Sequence, residues 1–323
     1  MDILKPPALH SGATIGIIAP SFPVLPAWQA DYERGKDVLR ALGFAVKEGR
    51  TVGLHRYWAA GTPQDQADDI NAMFAAPEIT AIIAHAGGFA AMSVLDRIDY
   101  AAIRAHPKPF LGFSDITLYH LAFFAHCGLV GFHMDTLTDG LGGTWSSLDE
   151  SRRDYLARLY RHVLTDPTPV GPIESARTWE CWRAGRAHGP LIGGNLKRLT
   201  ALAATPYFPS LEAFDGAILF WEEIGRDIWD LSIDLYILKH RGILDRIAGM
   251  LIGTLTWINQ GFEGIDYPTV RQVVFDVVGG YNFPIMAHVD FGHQTANMPL
   301  PIGVGALFDA EALSFALVDA PVR

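Results

Sequence analysis

Ser114 stands between an apolar run, Pro109-Phe110-Leu111-Gly112-Phe113, and a stretch with helical spacing that opens at Asp115 and ends at Cys127. A serine on a sharp strand-to-helix turn is where a hydrolase presents a nucleophile. The turn pushes the hydroxyl into a cleft, and the helix N-terminus faces the negative charge that develops on attack. The local sequence, Gly112-Phe113-Ser114-Asp115-Ile116, lacks the second glycine of the usual Gly-x-Ser-x-Gly elbow. The competing reading is an N-cap serine, whose hydroxyl accepts a backbone N–H two or three residues on.

A serine nucleophile also needs a base, a carboxylate to hold that base's tautomer, and preorganised N–H donors for the oxyanion. Residues for each role are scattered along the chain. Gly87-Gly88, straight after an apolar run, can bring bare backbone N–H groups close to a substrate, or form a plain turn. Trp221-Glu222-Glu223 sets two acids directly after an apolar strand, where a carboxylate is otherwise solvated or capping. Phe291-Gly292-His293 places a histidine in a loop with Asn297 nearby.

The elements that must position these residues alternate. Apolar runs at 14–20, 44–46, 79–84, 110–113 and 129–132 read as strands. Between them, 28–42, 62–75, 90–95 and 115–127 read as helices, the second opened by Thr62-Pro63 as cap and N1 proline. Alternation of this kind implies parallel βαβ units, so roughly the first 135 residues form a doubly wound α/β layer. Ligands then bind beyond the carboxyl ends of the strands, where Ser21, Gly87-Gly88, Ser114 and His133 fall. Character changes between Thr138 and Trp182, through a glycine-rich stretch and a charged helix over 148–164. The division expected is 1–140 for an N-terminal α/β domain, 141–180 for a linker and helix, and 181–323 for a C-terminal domain. Beyond the boundary, 217–221, 249–257 and 284–287 read as strands and 233–239 as a helix.

Composition excludes several classes. Of 323 residues, 50% are hydrophobic and the net charge is −10, so a large core forms and no basic stripe exists to neutralise nucleic-acid phosphates. No apolar run approaches the ~20 residues that span a bilayer. Without a basic segment followed by an apolar one at the N-terminus, the expectation is a cytoplasmic protein. Two cysteines, Cys127 and Cys181, suit a reducing compartment.

Ordered segments then carry a resemblance. Gly12-Ala13-Thr14-Ile15-Gly16-Ile17-Ile18-Ala19-Pro20-Ser21, Trp58-Ala59-Ala60-Gly61-Thr62 and Ala86-Gly87-Gly88-Phe89 come first. Lys108 to Thr117, Gly189-Pro190-Leu191-Ile192-Gly193-Gly194-Asn195-Leu196, and Ile218-Leu219-Phe220-Trp221-Glu222-Glu223 follow. Gly292-His293 with Asn297 and Leu300-Pro301-Ile302-Gly303 completes the series. Over nearly its whole length the chain resembles the LD-carboxypeptidase family of serine peptidases, which includes murein tetrapeptide carboxypeptidases and microcin C immunity peptidases. The resemblance implies a Rossmann-like N-terminal domain with a parallel sheet, a smaller β-rich C-terminal domain, a site at their junction, and a homodimer. It also implies a Ser114–His293–Glu222 triad and an oxyanion hole from the N–H groups of Gly88 and Asp115, with no metal or other cofactor.

The implied reaction is hydrolysis of an L,D-amide, releasing terminal D-Ala from a murein tetrapeptide during cell-wall recycling. The alternative is an aminoacyl-nucleotide amide of the microcin type. Gly87, Trp182, Arg183 and Asn195 are the expected substrate-binding residues, with Arg186 a further candidate cation. Two departures lie beside the expected cleft: Ala86 where the family has arginine, and Met134-Asp135 where it has Gly-Pro after the histidine. They bear on substrate identity more than on the triad. Two readings from other classes remain: a metallohydrolase built on His288-x-Asp290-x-x-His293, and a small-molecule receptor with an unreactive Ser114.

Overall fold

The computed structural model describes residues 2–259 and 262–323. In chain order the first half runs β1 (Thr14–Ile18), α1 (Gln29–Ala41), β2 (Ala45–Glu48), α2 (Pro63–Ala75), β3 (Ala81–Ala84), α3 (Tyr100–Ala105), β4 (Phe110–Gly112), α4 (Thr117–Cys127) and β5 (Phe132–His133). A π-helical turn, Leu137–Gly143, leads to α5 (Glu150–Thr165). The second half runs β6 (Gly171–Pro172), β7 (Glu180–Arg183), β8 (Arg186–Asn195), α6 (Leu196–Leu202), β9 (Ile218–Ile224), α7 (Ile228–His240), β10 (Gly249–Thr256) and α8 (Val270–Val278). Then come β11 (Ile285–Gly292), β12 (Leu300–Pro301), β13 (Gly305–Asp309) and β14 (Ser314–Leu317).

Six strands form one sheet in the order β12-β5-β4-β3-β1-β2, parallel except for β12. Its strands β1 and β3 read Thr-Ile-Gly-Ile-Ile and Ala-Ile-Ile-Ala and are almost wholly buried. Continuous apolar runs of this kind belong in a parallel sheet covered by helices on both faces. Helix α2 opens as the sequence implies: Thr62 and Asp65 make a reciprocal capping box, with Pro63 at the first helical position. At its other end Lys108, just before β4, donates to the carbonyls of Met73 at 2.8 Å and Ala76 at 2.5 Å.

Eight strands form the second sheet, β6-β14-β13-β8-β9-β10-β11-β7. Its four central strands, β8 to β11, are parallel, and antiparallel strands flank them. The expected α/β class and β-rich second half are therefore both present. Local differences are informative. The helix expected over 90–95 is two short 3-10 turns, Ala91–Ser93 and Leu95–Arg97. The strand expected over 129–132 has shrunk to Phe132–His133. The run 284–287 extends to Gly292, so His288 and Asp290 lie on a strand rather than in a loop.

Two connections stitch the sheets together. The chain leaves β11 in the second sheet and enters β12 in the first, beside β5. The backbone N–H of Asn195, at the end of β8, donates to the buried Thr117 hydroxyl at the start of α4, 3.0 Å away. Removing that acceptor leaves a buried N–H unpaired, which costs about 1–3 kcal/mol. Thr117→Val is expected to lower unfolding free energy by about that amount in urea titrations, and Thr117→Ser to retain most of it. An unchanged midpoint for the valine variant would remove this bond from the account of how the halves dock.

Candidate active site

Strand β4 delivers Ser114 through a tight turn. Ser114 has φ +63°, a left-handed conformation that a residue with a Cβ seldom adopts. Strain of this kind collects where the surrounding structure over-determines one side-chain position. The hydroxyl caps nothing: the helical turn Ser114–Ile116 begins without a side-chain cap, which disposes of the N-cap reading. Instead Oγ lies 3.0 Å from Nε2 of His293. Nδ1 of His293 lies 2.7 Å from Oε2 of Glu222. The three side chains come from β4, β9 and the loop after β11, and so from both sheets.

Glu222 is completely buried at the end of β9. Its second oxygen, Oε1, accepts from Asn195 Nδ2 at 3.2 Å. The same amide nitrogen donates to Glu223 Oε1 at 2.9 Å. Glu223 also accepts from the backbone N–H groups of Lys197 at 2.8 Å and Ile224 at 3.0 Å. Only Glu222 reaches the imidazole. Burial pushes the Glu223 carboxyl above its ordinary range, against the pull of these donors. Asn195 uses its carbonyl to cap α6, accepting from Arg198 N–H at 3.2 Å, which leaves its amide group aimed at the two acids.

The glycine turn after β3 packs against Ser114. A Cβ on Gly87 would stand 2.8 Å from Ser114 Cβ and 2.9 Å from its Oγ, so nothing larger than glycine fits there. The turn is braced by Asp115, which is buried although it follows Ser114 directly. Its Oδ2 accepts from Ser21 Oγ at 2.7 Å and Ala91 N–H at 3.0 Å. Arg198 of α6 brings Nε to 2.9 Å from Oδ1 and donates to the Gly88 carbonyl at 2.9 Å. Asp115 thus has its carboxylate turned inward. Its backbone N–H, in the first turn of a helix, has no intrahelical partner.

A cavity of about 570 Å³ opens over Ser114 and His293. Gly87, Gly88, Glu223 and Asn195 line it, as do Lys197, Arg198 and Arg226. Phe22, Trp28, Phe89 and Trp257 supply an aromatic wall, and Phe89 and Trp257 are each 68% exposed. Among the cations, Arg198 is committed to Asp115, and Arg226 donates to Asp230 at 3.1 Å. Lys197 is the freest: its side chain is 43% exposed and its nearest carboxylate, on Asp234, is 3.7 Å away.

Two expected substrate-binding residues lie elsewhere. Trp182 sits on β7, the edge strand beside β11, buried, with its indole N–H on Glu180 at 2.8 Å. Arg183 donates to the carbonyls of Val278 at 2.9 Å and Phe283 at 3.2 Å, closing the end of α8. Neither lines the cavity, because the strand they occupy lies on the far side of β11. Arg186 pairs with Asp309 at 2.5 Å on the surface. The residues missed were Lys197, Arg226, Asp139 and the aromatic wall. An Arg or Lys just beyond a strand-end acid, as in Glu222-Glu223-Ile224-Gly225-Arg226, was the available signal.

The metal reading of His288, Asp290 and His293 loses its geometry. His288 lies 3.6 Å from exposed Glu180, Asp290 is buried against the Ala176 N–H, and His293 faces Glu222. The three side chains do not converge.

Two family models match this chain: the LD-carboxypeptidase N-terminal domain over residues 15–134 and the LD-carboxypeptidase C-terminal domain over residues 188–307. A Bacillus subtilis protein named a probable murein peptide carboxypeptidase is 29% identical, over 98% of this chain and 95% of its own. The structure of microcin C7 self-immunity protein MccF with aspartyl sulfamoyl adenosine superposes with a TM-score of 0.88 at 23% identity, covering 99% of this chain and 100% of that one. Muramoyltetrapeptide carboxypeptidase from Oxalobacter formigenes superposes with a TM-score of 0.76 at 24% identity, over 94% and 97%.

The site geometry has a titration signature. Burial disfavours the charged imidazole of His293, but the Glu222 carboxylate, with Glu223 and Asp139 behind it, outweighs this and holds its pKa above 6.5. A histidine raised on folding contributes stability fully present below its unfolded pKa and lost as pH rises through the folded value. NMR titration of His293 is expected to show a midpoint above 6.5, and Glu222→Gln to lower it. A wild-type midpoint at or below 6.5 would contradict the ion pair.

Proposed function

Since the chain belongs to the LD-carboxypeptidase family, we propose that it is a serine carboxypeptidase that hydrolyses an L,D-amide bond, releasing terminal D-Ala from a murein tetrapeptide. The observation that carries this is the unbroken hydrogen-bonded line from Ser114 through His293 to Glu222. In this reading Ser114 Oγ forms a bond to the scissile carbonyl carbon while His293 Nε2 takes its proton. Glu222 holds the Nδ1–H tautomer and stabilises the imidazolium, as aspartate does in other triads. The oxyanion lies against the N–H groups of Gly88 and Asp115. His293 then passes its proton to the leaving amine, the C–N bond breaks, and water hydrolyses the acyl-enzyme by the same base.

The carboxylate of the terminal D-residue requires a cation, and Lys197 fits this role better than Arg183, because it lines the cavity and its ion pair with Asp234 is a loose one at 3.7 Å. Arg226 supports it from the same wall. With the family's arginine replaced by Ala86, the second half of the chain supplies the positive charge. The proposal includes a homodimer acting in the cytoplasm in cell-wall recycling, supported by the family resemblance. Among the described residues, no helix is long and apolar enough to cross a membrane.

A second reading is favoured by the aromatic wall. Flat rings at Phe22, Trp28, Phe89 and Trp257 suit a planar heteroaromatic group, as in an aminoacyl-nucleotide amide.

Incubation with a murein tetrapeptide and with an aminoacyl sulfamoyl adenosine, each in EDTA and followed by mass spectrometry, separates the two. Loss of one alanine from the tetrapeptide is expected for wild type, with kcat at least ~10³-fold lower for Ser114→Ala. Cleavage of the nucleotide amide alone would favour the second reading. Near wild-type turnover by Ser114→Ala would exclude the covalent serine mechanism.

A further inference from the structure

Asp135 is one of the two positions where the chain departs from the family pattern after β5, and the reaction scheme above gives it no part. It is completely enclosed, with 1% exposure. All four of its side-chain partners are donors. Oδ2 accepts from the Trp145 indole N–H at 2.7 Å and the Tyr160 hydroxyl at 2.8 Å. Oδ1 accepts from the backbone N–H of Asn297 at 3.1 Å and from its side-chain Nδ2 at 2.7 Å.

The last contact decides which way the Asn297 amide faces. Burial pushes the Asp135 carboxyl up against the pull of these donors, but Oδ1 already accepts from the Asn297 backbone N–H, so it meets the NH₂ end of the amide and not the carbonyl end. The carbonyl, Oδ1, is thereby turned to the buried N–H of Gly292, which it accepts at 2.7 Å. The other Nδ2 proton reaches the Gly292 carbonyl at 3.3 Å. Both polar groups of the Gly292 backbone are therefore held by one side chain. Tyr160 also touches both halves of the arrangement, with its hydroxyl 2.8 Å from the Asn297 carbonyl and accepting from Asp135 N–H at 3.0 Å.

Gly292 is the residue from which His293 emerges. Its φ is +128°, and a Cβ there would stand 2.5 Å from the Thr254 carbonyl oxygen. A backbone in this region has no intrinsic preference to stay where it is, because glycine visits many conformations at little cost. Something outside it must hold it.

We propose that Asp135 is a positioning residue for His293, acting through Asn297 on the Gly292 backbone; this rests on the triad reading above. The clamp reaches from the end of β5 in the first sheet to the end of β11 in the second. It fixes the imidazole against Ser114, which is carried by β4, the strand next to β5.

Asp135→Asn keeps the shape but brings an NH₂ group against a set of donors, so the Asn297 amide loses its fixed orientation. In folded protein, kcat for the cleaved amide is expected to fall about 10- to 100-fold while KM stays within about twofold. In the absence of substrate, the downfield proton NMR resonance of the His293 Nδ1–H is expected to shift or disappear. That readout tests the clamp even if neither amide substrate is the right one. Tyr160→Phe, which leaves Asp135 and Asn297 in place, is expected to move both readouts the same way by a smaller amount, and it serves if Asp135→Asn does not fold. Folded Asp135→Asn, or failing that folded Tyr160→Phe, with wild-type kcat and an unmoved Nδ1–H resonance would overturn the proposal.

Discussion

His293 hangs from a connection that belongs to both sheets. Its N-terminal end is β11, inside the eight-stranded sheet, and its C-terminal end is β12, which pairs with β5 in the six-stranded sheet. The imidazole therefore cannot move relative to Ser114 unless the sheets move relative to each other or the connection loosens. Glu222 adds an energetic constraint. Its carboxylate is completely buried, and an unpaired charge in that position costs several kcal/mol. His293 and Asn195 are its side-chain partners: His293 comes from the connection between the sheets, and Asn195 stands beside Glu222 on the neighbouring strand β8. The Ser114–His293 hydrogen bond is the link of this line that crosses from the six-stranded sheet to the other half.

A similar constraint surrounds Ser114. Ser114 is held in a left-handed backbone conformation, and the residue after it turns a carboxylate inward rather than to solvent. Asp115 gathers Ser21 and Ala91 from the first half and Arg198 from the second. Arg198 in turn holds the Gly88 carbonyl, so the glycine turn and the serine turn are fastened to one helix of the opposite half. Charged groups placed in this way are expensive to bury singly, but each is met by partners of the opposite kind. Specificity of geometry is what the arrangement provides, since apolar residues would fill the same space without fixing any orientation.

Much of this was legible beforehand where local chemistry dominates. The continuous apolar runs of β1 and β3, the Thr62-Pro63 helix start and the strand-to-helix step at Ser114 all follow from patterns a few residues long. The departures arise where local pattern competes with packing. Residues 90–95 have helix-forming side chains, but the N–H groups of Ser93 and Val94 bond back three residues, to Ala90 and Ala91, and only 3-10 turns remain. Trp182 and Arg183 have the chemistry of a binding site and sit in the edge strand β7, where an aromatic ring and a guanidinium serve packing equally well. Residue type alone does not distinguish these uses. The distinction is which side of β11 the strand lies on, and that depends on an antiparallel pairing with no local signature.

Short-range pattern was enough for the alternation of elements, for the family to which the chain belongs, and for marking Ser114, Glu222 and His293 as residues worth bringing together. It also showed that Asp135 was unusual, without a reason for it. Packing alone settled that one Asn195 amide serves both Glu222 and Glu223, which cations line the cavity, and that Asp135 is buried among donors that lead to Gly292. The reason is one of range. Helix caps, apolar periodicity and turns are set by interactions within a few residues, whereas Ser114 and His293 are 179 residues apart and His293 and Glu222 are 71. Contacts at that separation exist only after strands have assembled into sheets and the sheets have packed, and their geometry is a property of that assembly rather than of any segment in it.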